Sequence, residues 1–159
     1  MELFDNNGAE FSKCGKFRYA LWRIWDEDKP LVMFIGLNPS TANKTSNDPT
    51  IRRVKRFAAD WGFGGVYMMN LFAYISTDPK KLLFREHEKI GYQNNNYLKQ
   101  IAGKCEKVIF AWGSFSAAHV RSKQIIEMFP QAYVLKINNN GSPKHPLYVR
   151  ANTNPAKYI

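Results

Sequence analysis

Two segments place a polar side chain beside a proline just after an apolar run. They are Gly36-Leu37-Asn38-Pro39-Ser40 and Lys144-His145-Pro146-Leu147. The Asn38 amide can hold a water or a substrate but is a poor base. His145 carries the ring in its neighbourhood able to give or take a proton near neutral pH, and Pro146 fixes the backbone beside it. Two further polar residues stand at ends of apolar runs. Asn70 interrupts Val66–Phe72, where an amide can donate and accept together, as the edge of a nucleobase requires. Ser114 follows Lys107–Trp112. Asn-Pro and His-Pro are also ordinary turn dipeptides, so each pair alone reads as a turn. Together the four positions are expected to line one site.

The elements that would position them follow from apolar patterning. Leu31–Leu37, Val66–Phe72 and Lys107–Trp112 are continuous apolar runs, the mark of strands covered on both faces. Phe17–Trp25 and Ala132–Ile137 are expected as further strands, and Leu147–Val149 as a short edge strand. Residues 1–16 read as an irregular lead-in. Asp48 is placed to cap a helix with Pro49 in its first turn, and Ile51, Val54, Phe57, Ala58 and Trp61 form its apolar stripe. Thr77-Asp78-Pro79 starts another helical turn by the same logic. Longer helices are expected over about Glu88–Ala102 and from Gly113-Ser114 to about Met128. Strands alternating with helices predict a three-layer α/β/α domain with a central, mainly parallel four-stranded sheet and an additional N-terminal strand at the edge. Ligands of such sheets bind outside the carboxyl ends of the strands. The whole chain, 1–159, reads as a single domain.

The 159 residues are 45% hydrophobic and 14% aromatic, which fits one globular domain. Lys and Arg total 23 against 13 Asp and Glu, a net charge of +10. That balance suits a polyanionic partner such as DNA or RNA. No apolar run reaches the ~20 residues of a membrane span, and Met1–Asp5 lacks the form of a signal peptide. A cytoplasmic location, no membrane partner and no obligate protein partner are therefore expected. Cys14 and Cys105 read as free thiols.

Other chemistries fare poorly. Gly62-Phe63-Gly64-Gly65 precedes a strand instead of opening a helix, so it is not a phosphate loop. His87, His119 and His145 have no metal-ligand spacing with the cysteines. Ser114 lacks the second glycine of a nucleophile elbow. Asp48 and Asp78 are better explained as caps than as a catalytic pair. No metal and no cofactor is expected.

Gly36-Leu37-Asn38-Pro39-Ser40, Asp48-Pro49-Thr50-Ile51-Arg52-Arg53, Asn70-Leu71-Phe72-Ala73 and His145-Pro146-Leu147-Tyr148 resemble the DUF1643 family. The same stations resemble, more distantly, the uracil-DNA glycosylase superfamily, and within it the mismatch-specific thymine/uracil branch. That resemblance implies a glycosylase-like fold and hydrolysis of the N-glycosidic bond of a flipped, modified or deaminated base. Asn38 would position or activate water, and Asn70 would read the base. His145 would stabilise charge on the base as the bond breaks. Gly36, Leu37, Pro39, Ser40, Ser114 and Pro146 would line the substrate site, and Phe72, Tyr74 or Trp112 would stack on the base. Leu147 or Tyr148 would wedge into the duplex, with Lys144, Arg150, Arg52 and Arg53 on phosphates. The first motif departs from the superfamily in lacking an Asp, and Thr41–Asn47 has no counterpart. A non-catalytic nucleic-acid-binding module and an enzyme on a free nucleoside or nucleotide are the competing readings.

Overall fold

The computed structural model describes residues 6–78, 80 and 89–158. Seven strands form one sheet: β1 (Asn6–Phe11), β2 (Arg18–Ile24), β3 (Leu31–Gly36), β4 (Gly65–Asn70), β5 (Lys107–Phe110), β6 (Tyr133–Val134) and β7 (Ala156–Lys157). Among the described residues, three α-helices accompany them: α1 (Pro49–Asp60), α2 (Asn94–Ala102) and α3 (Ala118–Met128).

The sheet order is β1-β2-β4-β3-β5-β6-β7. The pairs β3–β4, β3–β5 and β5–β6 are parallel, whereas β1–β2, β2–β4 and β6–β7 are antiparallel. The α/β class is as expected. The expected four-stranded, mainly parallel sheet is not: the sheet is mixed and has seven strands. The apolar runs specified the inner strands because those are covered on both faces. The antiparallel flanks depend on long-range pairing.

The expected irregular lead-in over 1–16 is a case in point, with 1–5 outside the described residues. Asn6–Phe11 is rich in residues disfavoured in strands, yet it forms β1 along β2. Gly8 is required there, because a Cβ would lie 2.3 Å from the Trp22 ring. β7 was likewise not anticipated, and β6 spans only two residues.

Strand residues alternate between two cores. On one face Val32, Phe34, Val66 and Met68 pack with Ile51, Val54 and Phe57 of α1. On the other, Met33, Ile35 and Met69 pack with Leu98 and Ile101 of α2 and Ile125 of α3. Helices thus cover both faces, and a single set of strands feeds both layers.

Asp48 caps α1 as expected: its Oδ1 accepts the Ile51 N–H at 2.9 Å, with Pro49 in the first turn. The helix expected over about Glu88–Ala102 is interrupted at Gly91, which has φ +91, and α2 starts only at Asn94. A Cβ at Gly91 would meet the Tyr19 ring at 2.9 Å. The turn expected at Thr77-Asp78-Pro79 lies partly outside the described residues. Within them, Asp78 Oδ1 accepts the Lys80 N–H at 3.0 Å.

Leu147–Val149 is not an edge strand. Pro146–Tyr148 forms a 3-10 helix, because His145 Nδ1 accepts the Leu147 N–H at 3.1 Å and Pro146 has no N–H to add to a ladder. No described helix is long and apolar enough to cross a membrane. Cys14 and Cys105 are free thiols, and burial pushes Cys105 up to about 12.

Candidate active site

β3 and β4 run parallel with Gly36 opposite Asn70, so their carboxyl ends open on the same side. Pairing continues past the strands, with Phe72 N–H donating to the Leu37 carbonyl at 3.0 Å. A cavity of about 230 Å³ lies at these ends. Gly36, Leu37, Asn38, Pro39, Ser40, Asn70, Trp112 and His145 all line it. Residues as far apart in sequence as Asn38 and His145 therefore share one wall.

Local structure explains each placement. Asn38 Nδ2 donates to the carbonyls of Pro39 at 3.0 Å and Ser76 at 2.8 Å. Its donor is spent tying the Pro39 loop to the segment after β4, and Oδ1 remains as an acceptor. Asn70 is 3% exposed, and its side-chain amide bonds to none of the described residues. Asn94 Nδ2 holds the Asn70 backbone carbonyl at 3.0 Å. Gly36 leaves space for the Asn70 amide, since a Cβ there would lie 3.1 Å from its Oδ1 and 2.6 Å from Met68 Cε. A buried amide on a cavity wall, unbonded to the described residues, is a ready recognition group.

His145 accepts through Nδ1, so its proton sits on Nε2 and the ring is a neutral donor. Burial lowers its proton affinity, with Asp48 opposing the shift. The unfolded chain then takes up a proton first as pH falls through ~6.5, so stability is lost on acidification below that point. The drop in urea midpoint between about pH 7.5 and about pH 5 should be smaller in His145→Asn than in the native chain. Equal drops in both would show that His145 titrates as it does unfolded.

Two charged wall residues, Asp48 and Arg18, are not marked as site residues by the sequence. Asp48, read only as a cap, lines the cavity and acts electrostatically on Arg18, Arg23 and His145. Arg18, at the start of β2, also lines it and is 3% exposed. The signal was present in Phe17–Trp25, where two arginines interrupt an apolar strand. Both arginines grip the Thr41–Asn47 loop. Arg18 Nη1 donates to the Ala42 carbonyl at 3.2 Å. Arg23 reaches Asn47 Oδ1 at 2.8 Å and the carbonyls of Asn43 at 2.6 Å and Ser46 at 3.1 Å. The loop that had no counterpart is thus the device that delivers Asp48 to the cavity.

The other expected site residues lie elsewhere. Ser114 lines a separate groove of about 470 Å³, because Gly113 at φ +81 turns the chain toward the Asn138–Pro143 loop. Trp112 borders both spaces. Phe72 is fully buried in the core beneath Lys89, and Tyr74 packs edge-on against Phe17, so Trp112 is the aromatic on the cavity wall. Pro146 is buried in the 3-10 helix. Leu147 and Tyr148 are 40% and 77% exposed beside His145. Arg52 is exposed and bonds the Asn47 carbonyl, and Arg53 lies over the Phe57 ring. Lys144 is half-buried and Arg150 exposed. α1 packs against the 3-10 helix, so the elements carrying Arg52, Arg53, Leu147 and Tyr148 are neighbours. No group of His, Cys, Asp and Glu among the described residues could hold a metal ion.

The model of the family described as "Protein of unknown function (DUF1643)" matches residues 18–147. The chain belongs to the DUF1643 family. The matched span of this DUF1643 protein includes every cavity-lining residue from Arg18 to His145. No curated protein and no solved structure matches it.

Proposed function

We propose that this DUF1643 protein hydrolyses the N-glycosidic bond of a modified or deaminated nucleic-acid base, presented by DNA and seated in the Asn38–Asn70–His145 cavity. The observation that carries the reading is the meeting of a free buried amide (Asn70), a neutral imidazole donor (His145), a carboxylate (Asp48) and an indole (Trp112) in one small space. At ~30 Å³ per water, about 230 Å³ holds roughly one six-membered ring with its exocyclic atoms. The parallel neighbours β4, β3 and β5 open their carboxyl ends on one side, the side on which open α/β sheets bind ligands.

The chemistry divides among these residues. Asn38 Oδ1 accepts from the attacking water and positions it. Asp48 takes the water proton as the oxygen bonds to the sugar C1′. The C1′–N bond breaks and its electron pair leaves with the base. His145 Nε2–H donates to the oxygen where that charge gathers, and a neutral donor suits a weakly basic oxyanion. Asn70 pairs with the base edge, and Trp112 flanks the ring. Leu147 and Tyr148 occupy the gap left in the duplex, offsetting part of the few kcal/mol that flipping costs. The net charge of +10 holds the backbone.

The test is formation of alkali-labile sites in single- and double-stranded DNA carrying deaminated or modified bases. Strand breaks at the substituted position are the expected result. Salt-dependent DNA binding without any breaks, by a folded protein, would favour a binding module instead.

A further inference from the structure

We propose that the cavity floor is an oxyanion subsite, so that the ligand carries one negative group, a carboxylate or a phosphate monoester, against Arg18. This rests on the same cavity as the hydrolase reading but goes beyond it, since a simple base such as uracil has no such group.

Three independent features point there. Arg18 is 3% exposed, and among the described residues only Nη1 has a protein acceptor; Nε has no partner at all. A buried guanidinium with open donors is costly unless something completes it. No salt bridge within 4.0 Å joins it to an acid among the described residues, where the only pairs are Lys29–Asp26 and Arg56–Asp60. Second, the amino end of α1, through Thr50 and Ile51, forms part of the same wall, and a helix of 12 residues brings its positive end there. Third, the Asn70 amide, unbonded to the described residues, lines the same space and carries an N–H donor.

Charge around the floor leaves room for an anion. Arg18 and Arg23 stand against Asp48, whose Oδ1 is already engaged by the Ile51 N–H, and His145 is neutral. One positive charge is left over. Burial lowers the Arg18 proton affinity to about 10, which keeps it charged at neutral pH. Nη1 is engaged by the Ala42 carbonyl and Nε is fully buried, which leaves Nη2 to meet one oxygen of a carboxylate or phosphate. Arg18 and Asn70 line the same cavity, so a carboxylate carried on the base would bring the charge to Arg18 and the ring edge to Asn70. A phosphate monoester would instead enter as the head of a free nucleotide.

Calorimetric titration with uracil, 5-carboxyuracil, uridine 5′-monophosphate and inorganic phosphate separates these cases. At least one oxyanion should bind the native chain about tenfold more tightly than uracil, and Arg18→Gln should abolish that preference. Tight 5-carboxyuracil marks the base as the source of the charge, and tight uridine 5′-monophosphate or phosphate marks the nucleotide. Equal affinity for uracil and every anion would overturn the subsite. So would an unchanged preference in folded Arg18→Gln. Should Arg18→Gln fail to fold, the native chain decides. Its melting temperature should rise with the bound oxyanion and not with chloride at equal ionic strength, and no difference would overturn the proposal. None of these readouts needs turnover, so anion binding without base release would refute the hydrolase and leave the subsite standing.

Discussion

Asp48→Asn is expected to lower base release by roughly 100-fold or more, the usual contribution of a general base, while α1 still forms. The separation is possible because the cap and the proposed base ask different things of Asp48. As a cap it needs only an oxygen to accept the Ile51 N–H, which it does at 2.9 Å. Asn serves that task about as well as Asp. As a base it needs a carboxylate, which Asn lacks. Asp48→Ala loses both tasks and should cost about 1 kcal/mol in capping on top of the lost chemistry. The two variants should therefore be equally inactive, with Asp48→Asn melting at the higher temperature. Single-turnover rates and melting curves on one set of samples check both halves. An active Asp48→Asn would confine Asp48 to structure.

His145→Asn should cost roughly 100- to 1,000-fold in the same assay, the cost of losing one oxyanion donor. Asn places Oδ1 near the position of Nδ1, so the Leu147 N–H keeps an acceptor and the 3-10 helix keeps its start. What disappears is the Nε2–H of a ring that lines the cavity. Base affinity should survive, because Asn70 and Trp112 are untouched. A variant that binds normally and does not cleave separates charge stabilisation from recognition. A loss of binding equal to the loss of rate would make His145 a recognition residue.

The two residues differ in how well the sequence revealed them. His145, Asn38 and Asn70 were legible because each ends or interrupts an apolar run, and parallel strand ends converge. Asp48 was legible as a cap, and the cap reading hid its second role, since nothing local says which way the spare carboxylate oxygen looks. Arg18 was hidden for another reason. An arginine in an apolar strand reads as an interruption until β2 is known to lie against β4, and that antiparallel pairing crosses more than forty residues, from Leu21 to Met68.

The same distinction runs through the fold. β3, β4 and the cap and stripe of α1 were specified locally by apolar runs and by Asp48-Pro49. β1 and β7 exist because a partner strand supplies their hydrogen bonds, and nothing in Asn6–Phe11 or Ala156–Lys157 announces it. Ser114 lies in a different space from Asn38 and Asn70 because one left-handed glycine, Gly113, redirects the chain between the strand end and the helix. A strand-end rule locates where a run ends, and the next residue's φ decides where the chain goes.

Mass analysis of the small molecules released when the native protein acts on DNA carrying deaminated or modified bases tests the central claim most directly. Hydrolysis at the N-glycosidic bond predicts the free base at its original mass, in an amount equal to the abasic sites formed. A base altered in mass and still attached to the strand, or no release from any substrate by folded protein, would contradict it.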